Sequence, residues 1–278
     1  MNILDEVKKR LEAWRTNKPS LEKVKNEVAS TQLWKSVIRH GYPDTPRNRI
    51  MAVLSNVFLH LHPVKVRRSG VKMSYTWCMG GLSFFLFLVL TISGVLLMFY
   101  YRPTAEYAFY DIVALREHVP LGIMRELHRW GAHAMVITVW LHMFRVFMTG
   151  SYKPPREFNW VIGVILLVLT LLLSFTGYLL PWDQLAMWAV TVGSNMARAH
   201  PFIGNQGPGA ALLQVGGVKL VTQGSDIRFA LLGGKFVGAP TLLRFYVLHC
   251  VAIPLGAATL MAIHFWRVRK DGGISGPL

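Results

Sequence analysis

The chain is poor in cysteine and in acid. Only Cys78 and Cys250 occur among its 278 residues, with no CxxC or CxxCH pattern. That excludes a disulfide framework and the redox and haem-attachment motifs built on paired cysteines. Asp and Glu number 14 against 30 Lys and Arg, and charged residues make up 16% against 53% hydrophobic. With a mean hydropathy of +0.36, these values lie outside the soluble average and point to a membrane protein. The charged N-terminus lacks a short apolar stretch with a small-residue cleavage site, so no signal peptide is expected. A formal charge of +16 could suggest nucleic acid. The basic residues cluster beside apolar runs, however, which favours a membrane and no nucleic-acid partner.

Four apolar runs approach the roughly 20 helical residues that a hydrocarbon core requires. They cover residues 73–101, 130–144, 158–182 and 245–266. The first has no charge, the second needs flanking turns to span, and the third ends at Pro181. Their Gly, Leu and aromatic residues fall in helical patterns, so all four read as helices. An even number of spans places both termini on one side. Arg145, Lys153 and Arg156 after the second run, Arg267, Arg269 and Lys270 after the fourth, and 15 basic residues before Met73 mark that side as cytoplasmic (n). The connection over residues 183–244 then faces the opposite (p) side, and its abundant Gly and sparse charge suggest a path along the membrane interface. Residues 1–50 form a separate n-side extension, and residues 51–278 the transmembrane domain. Leu4, Val7, Leu11 and Trp14, and again Leu21, Val24 and Val28 after Pro19, make two amphipathic helices suited to a membrane surface or a partner.

The second run carries His128 and His142, fourteen residues apart; the fourth carries His249 and His264, fifteen apart. On a straight helix such steps return to within ~40° and ~60° of the starting face and rise ~21–22 Å. Both are even-numbered spans and run parallel. His128 therefore shares a depth with His249 near the p side, and His142 with His264 near the n side. Zinc would want further N, S or carboxylate ligands, and no Asp or Glu lies inside these runs. Two opposed imidazoles in an apolar slot suit haem iron, and with both axial positions filled the task is electron transfer. His133, ~140° around the helix from His128, faces elsewhere. Gly80 and Gly94, and Gly163 and Gly177, repeat the fourteen-residue step on the first and third runs. Without a Cβ they would floor the macrocycle slots. Arg125 and Arg129 on the p side, and Arg145, Arg267 and Arg269 on the n side, suit haem propionates.

The stretches H-R-W-G-A-H…L-H-M-F-R, G-Y-L-L-P-W-D-Q-L-A-M-W, Y-Y-R-P-T and G-I-S-G-P-L resemble the cytochrome b family in its N-terminal, four-helix half. The nearest form is the split version, cytochrome b6, and the likeness covers roughly residues 51–278. No Pro-Glu-Trp-Tyr motif occurs, as a split protein would have it. The resemblance implies an all-α bundle of four transmembrane helices around two stacked b haems. It implies a subunit of a quinol:cytochrome c oxidoreductase, not catalytic alone, which couples p-side quinol oxidation to n-side quinone reduction and proton translocation. Its expected partners are a separate C-terminal cytochrome b half, a Rieske iron–sulfur protein, a c-type cytochrome and membrane lipid, in a homodimeric complex.

By the same resemblance, Gly177, Tyr178, Pro181, Trp182 and Asp183 wall part of the p-side quinol pocket. Read alone, Cys78 is a small packing residue. In cytochrome b6 and similar Gram-positive proteins a Cys at this place before Gly-Gly carries an extra haem through one thioether, which implies a covalent haem c at Cys78. Cys250 follows a ligand and reads as packing. The residues before about 40 and the stretch 204–238 exceed the family pattern. The competing reading is a di-haem cytochrome b anchor of a dehydrogenase or hydrogenase; a transporter or structural subunit without cofactor would make the histidine spacing a coincidence.

Overall fold

The computed structural model describes residues 6, 20–37, 44–60 and 66–274. The amphipathic stretch around Leu4, Val7, Leu11 and Trp14 lies outside them. Two compact units divide the chain, residues 1–60 and 61–278.

In the first unit α1 (Leu21–Ser30) begins where the Ser20 hydroxyl accepts from Lys23 N at 3.2 Å. It is followed by α2 (Gln32–Val37), α3 (Pro46–Ser55) and α4 (Val57–His60). Thr45 caps α3 by accepting from Asn48 N at 3.1 Å, with Pro46 in the first turn, where its missing N–H costs nothing. The expected apolar face of α1 is present and uncovered: Leu21, Val24 and Val28 are all exposed.

Among the described residues, the second unit holds four helices long and apolar enough to cross a membrane. They are α5 (Met79–Met98); α7 (Val119–Met148), which follows the short α6 (Ala108–Glu117); α8 (Glu157–Leu179); and the continuous stretch Ala239–Lys270. That last span consists of α11 (Ala239–Val247), a π turn (Leu248–Ala252) and α12 (Ile253–Lys270). Between α8 and α11 lie α9 (Gln184–Ala197) and α10 (Ile227–Leu232). The all-α expectation therefore holds apart from one hairpin, β1 (Gln214–Val215) with β2 (Val218–Lys219). Its turn residues Gly216 and Gly217 both have positive φ, 57° and 81°, as a two-residue hairpin turn demands. The second span is longer than its apolar middle suggested, and the fourth begins six residues earlier than residue 245 because Pro240 opens α11.

Helix α5 packs along α7, and α8 packs along α11 and α12, with α7 beside α8. The hydroxyls of Ser83 and Thr138 meet at 3.1 Å in the buried seam between α5 and α7. The connection over residues 183–244 is not a strip of loop. Asp183 caps α9, accepting from Ala186 N at 2.8 Å, and α9 and α10 fold back to bury Leu179, Ala186, Val190 and Leu232 against Phe245. A second cluster joins Tyr101, Ala108 and Leu242, and the Tyr101 hydroxyl donates to Leu180 O at 2.6 Å. Beside it Arg102 grips the buried Asp111 through its backbone N–H (2.8 Å) and its guanidinium (2.6 Å). The best-buried apolar side chains gather at this one end, while the spans keep large hydrophobics outward.

Candidate functional site

The four histidines meet in the two pairs that their spacing implies. The His128 and His249 ring centres are 6.2 Å apart, with planes at 75°. Those of His142 and His264 are 6.4 Å apart, at 81°. The rings are too distant to bond each other and too close to enclose a side chain. Two metal–imidazole bonds of about 2.0 Å, each extended by roughly 1.2 Å from nitrogen to ring centre, span about 6.4 Å. The pairs thus fit a single metal centre at each level. His133 joins neither pair; it is exposed and packs its ring on Trp130 at 5.6 Å.

The unequal steps of fourteen and fifteen residues are reconciled by the π turn. Ile253 N–H reaches Leu248 O, one residue further back than in an α-helix. Pro254 follows directly and has no N–H to offer the Cys250 carbonyl, so the ladder widens there. The wide turn contains His249 and absorbs one residue. Fifteen residues therefore cover about the phase of fourteen, and the ~60° offset of a straight helix does not apply. Pro254, five residues after His249, was the available signal.

The four repeated glycines stand beside the four histidines. Each of them faces an imidazole. A Cβ on Gly94 would lie 3.1 Å from His128 Cε1, one on Gly80 3.1 Å from His142 Cε1, and one on Gly177 2.6 Å from His249 Cε1. Gly163 is looser, 3.9 Å from His264 Cε1. The α5 glycines thus seat the α7 histidines, and the α8 glycines seat the histidines of the fourth span.

Two hydroxyls that the sequence reading overlooked hold the first pair. Ser93 Oγ lies 2.9 Å from His128 Nδ1, and Thr176 Oγ1 lies 3.2 Å from His249 Nδ1. The Leu173 carbonyl is 3.1 Å from the same His249 nitrogen. Each hydroxyl sits one residue before its glycine, so the dipeptides Ser93-Gly94 and Thr176-Gly177 were the visible signal.

The arginines divide. Arg125 and Arg129 both bind Glu126, at 2.7 and 2.6 Å, so the first level is less positive than its arginines alone suggested. Arg145 is 9% exposed, lies 4.3 Å over the Tyr75 ring and donates through Nε to Tyr75 O at 3.3 Å. One of its guanidinium nitrogens is buried without a partner among the described residues. A buried, half-satisfied guanidinium fits an anionic group such as a propionate. Arg267 binds Asp271 at 2.8 Å and has no partner for Nε among the described residues, and Arg269 follows it in the last turn of α12.

Residues 177–183 also separate. Tyr178 is exposed, Pro181 follows the end of α8, Asp183 caps α9, and Trp182 packs into both core clusters with φ of 52°. A surface cleft of about 580 Å³ is lined elsewhere, by Arg116, Gly122, Ile123, Glu126, Leu127 and Trp130. Cys78 is exposed and precedes α5 in the left-handed conformation (φ 51°), two residues before the glycine that seats His142. Cys250 is half-buried within the π turn, and both thiols are free.

A family model described as cytochrome b/b6/petB matches residues 64–208. A cytochrome b6 of Gracilaria tenuistipitata var. liui is 43% identical over 203 residues, 73% of this chain and 85% of that protein. The menaquinol:cytochrome c reductase cytochrome b subunit of Bacillus subtilis (strain 168) is 36% identical over 249 residues, 89% of this chain and 93% of that one. Among solved structures, a chain of a hyperthermophilic respiratory Complex III superposes with a TM-score of 0.60 at 30% identity. The match covers 71% of this chain and 48% of that one, so the chain spans about half the length of that relative. With four membrane-length helices and this match across more than half of its sequence, the chain belongs to the cytochrome b/b6 family.

Proposed function

We propose that the chain is the electron-carrying cytochrome b subunit of a quinol:cytochrome c oxidoreductase. The observation that carries this reading is the two imidazole pairs at separations that suit axial ligation. Two b haems, when bound, supply reversible one-electron chemistry. His128 and His249 would hold one near the p side, and His142 and His264 the other near the n side. The glycines Gly80, Gly94, Gly163 and Gly177 let the rings lie against α5 and α8, and Arg145 offers a buried cation at the n-side level. The fourteen-residue step sets the levels ~21 Å apart.

The exposed Cys78 thiol suits a third, covalently attached haem on the n side, between the His142–His264 pair and a quinone entering from that leaflet. With both termini on the n side, residues 177–183 face the p side beside quinol, and exposed Tyr178 is their side chain most open to a ligand. The partners are a separate C-terminal cytochrome b half, a Rieske protein and a c-type cytochrome in a homodimer. The Bacillus subtilis relative is named for menaquinol and cytochrome c, which supports a quinol as electron source here.

The test is quinol addition to the purified complex with the b-band absorbance followed. Reduction in wild type that is lost from both haems in His128→Ala, with the acceptor side of the p-side route intact, supports electron entry at the p-side level. A b band that stays oxidised in wild type contradicts the reading.

A further inference from the structure

Near the His142–His264 pair two buried donors stand together with no acceptor. Arg145 lies on α7 three residues after His142, about one turn further along. It is 9% exposed, donates through Nε to Tyr75 O at 3.3 Å, and sets its guanidinium 4.3 Å over the Tyr75 ring. Its Nη2 and the Tyr75 hydroxyl are both buried with no hydrogen-bond partner among the described residues. A guanidinium can only donate, and a phenol has one proton to give. Buried donors without an acceptor are costly, so native folds keep them where a ligand or an ordered water meets them. Tyr75 belongs to the single helical turn Met73–Thr76, which closes as Trp77 N donates to Met73 O at 2.7 Å. Trp77 and Cys78 then both take φ of 51° before α5 begins. Two successive left-handed residues, neither of them glycine, persist only where contacts hold them. The grip of Arg145 on the Tyr75 ring and carbonyl supplies such a contact.

We propose that the Tyr75 hydroxyl and Arg145 Nη2 bind one carboxylate between them, a propionate of the n-side haem, and that Tyr75 also positions the guanidinium. The inference rests on the haem reading above and extends it to a residue ahead of the first membrane-length helix. A carboxylate accepts at two oxygens, so a phenol and a guanidinium can each take one. Both bonds are then charge-assisted, and burial keeps water from competing for them. A phospholipid phosphate has the same acceptor chemistry. The propionate is favoured because Arg145 is nine-tenths buried and one turn from His142, whereas a lipid headgroup stays at the exposed rim of a bundle.

The experiment is resonance Raman spectroscopy of the purified complex, excited in the b-haem absorbance, with the propionate-bending bands followed. Tyr75→Phe keeps a ring over Arg145 and removes only the O–H. It should shift one propionate-bending band and leave the content of dissociable b haem as in wild type. The shift should vanish in a His142→Ala background, which lacks the n-side haem. Release of b haem to excess apomyoglobin is the second measurement. Of its two phases Tyr75→Phe should accelerate one about tenfold, for the loss of one hydrogen bond to a charged group, with the other unmoved. Wild-type bands and release rates in Tyr75→Phe overturn the proposal. A band shift that persists in the His142→Ala background also overturns it, since the acceptor then belongs to a lipid or to a haem at Cys78. Equal acceleration of both phases, the mark of a general loosening, overturns it as well. Where His142→Ala does not assemble, the two release phases decide alone. A wild-type complex without b haem sinks the functional reading itself, an outcome distinct from an unshifted band.

Discussion

Gly177 and His249 are in such close register that a Cβ on residue 177 would stand 2.6 Å from His249 Cε1. Contacts that short force the ring or the helix to move, because the neighbouring atom belongs to a ring whose Nδ1 is held by Thr176 and Leu173. Gly163 has the same role toward His264, yet its Cβ would make an ordinary 3.9 Å contact. Gly177→Ala should therefore cost the assembled bundle about 1–3 kcal/mol, as overpacking does, and displace the p-side haem. Gly163→Ala should be tolerated. Haem content and thermal unfolding of the two variants, measured side by side, check this; equal losses would show that the glycines share a role other than seating the rings.

The two glycine pairs also mark how far sequence reasoning reached. Periodicity sufficed for the four spans and for pairing His128 with His249 and His142 with His264, because steps of fourteen and fifteen residues on parallel spans bring the rings to matching depths. The same periodicity exposed the glycines but not their neighbours. A missing Cβ says that something lies close, and only the packed helices show that it is an imidazole. Ser93 and Thr176 were hidden because a hydroxyl in a span usually bonds its own helix, which both of these also do. The compensation of fifteen residues by a π turn needed the ladder around Pro254. Arg125 and Arg129 read as partners for haem propionates although Glu126 stands between them, since distances decide whether adjacent charges pair. The connection over residues 183–244 read only as a path along the membrane interface because its core forms against Leu179 and Phe245.

Cys78 precedes α5 with its thiol exposed, near the level of His142. Denaturing electrophoresis with haem staining separates dissociable b haems from a thioether-linked one. A stained band at 31.4 kDa that vanishes in Cys78→Ser is expected, while Cys250→Ser keeps it. An unstained wild-type band would leave Cys78 without a covalent haem.

At the other end of the bundle Arg102 grips Asp111, and the hydrogen-bonded guanidinium holds the Asp111 carboxyl below its ordinary value. A carboxyl whose folded pKa is depressed stabilises the fold fully above its unfolded pKa of about 3.9. That contribution is lost as pH falls through the lower, folded value. The unfolding midpoint of Asp111→Asn should therefore lie below that of wild type at pH 7, and the gap should narrow as the pH drops below about 4. A gap that is constant with pH would assign the effect of the substitution to packing instead of charge.

The central claim is that four histidines on two spans make two stacked bis-imidazole sites, and counting haem per chain tests it most directly. Pyridine haemochrome analysis of the purified complex should give two dissociable b haems per copy of this chain, one in His142→Ala or His264→Ala, and two in His133→Ala, whose ring lies outside both pairs. A wild-type complex with no dissociable b haem, or a loss in His133→Ala equal to that in His142→Ala, would contradict it.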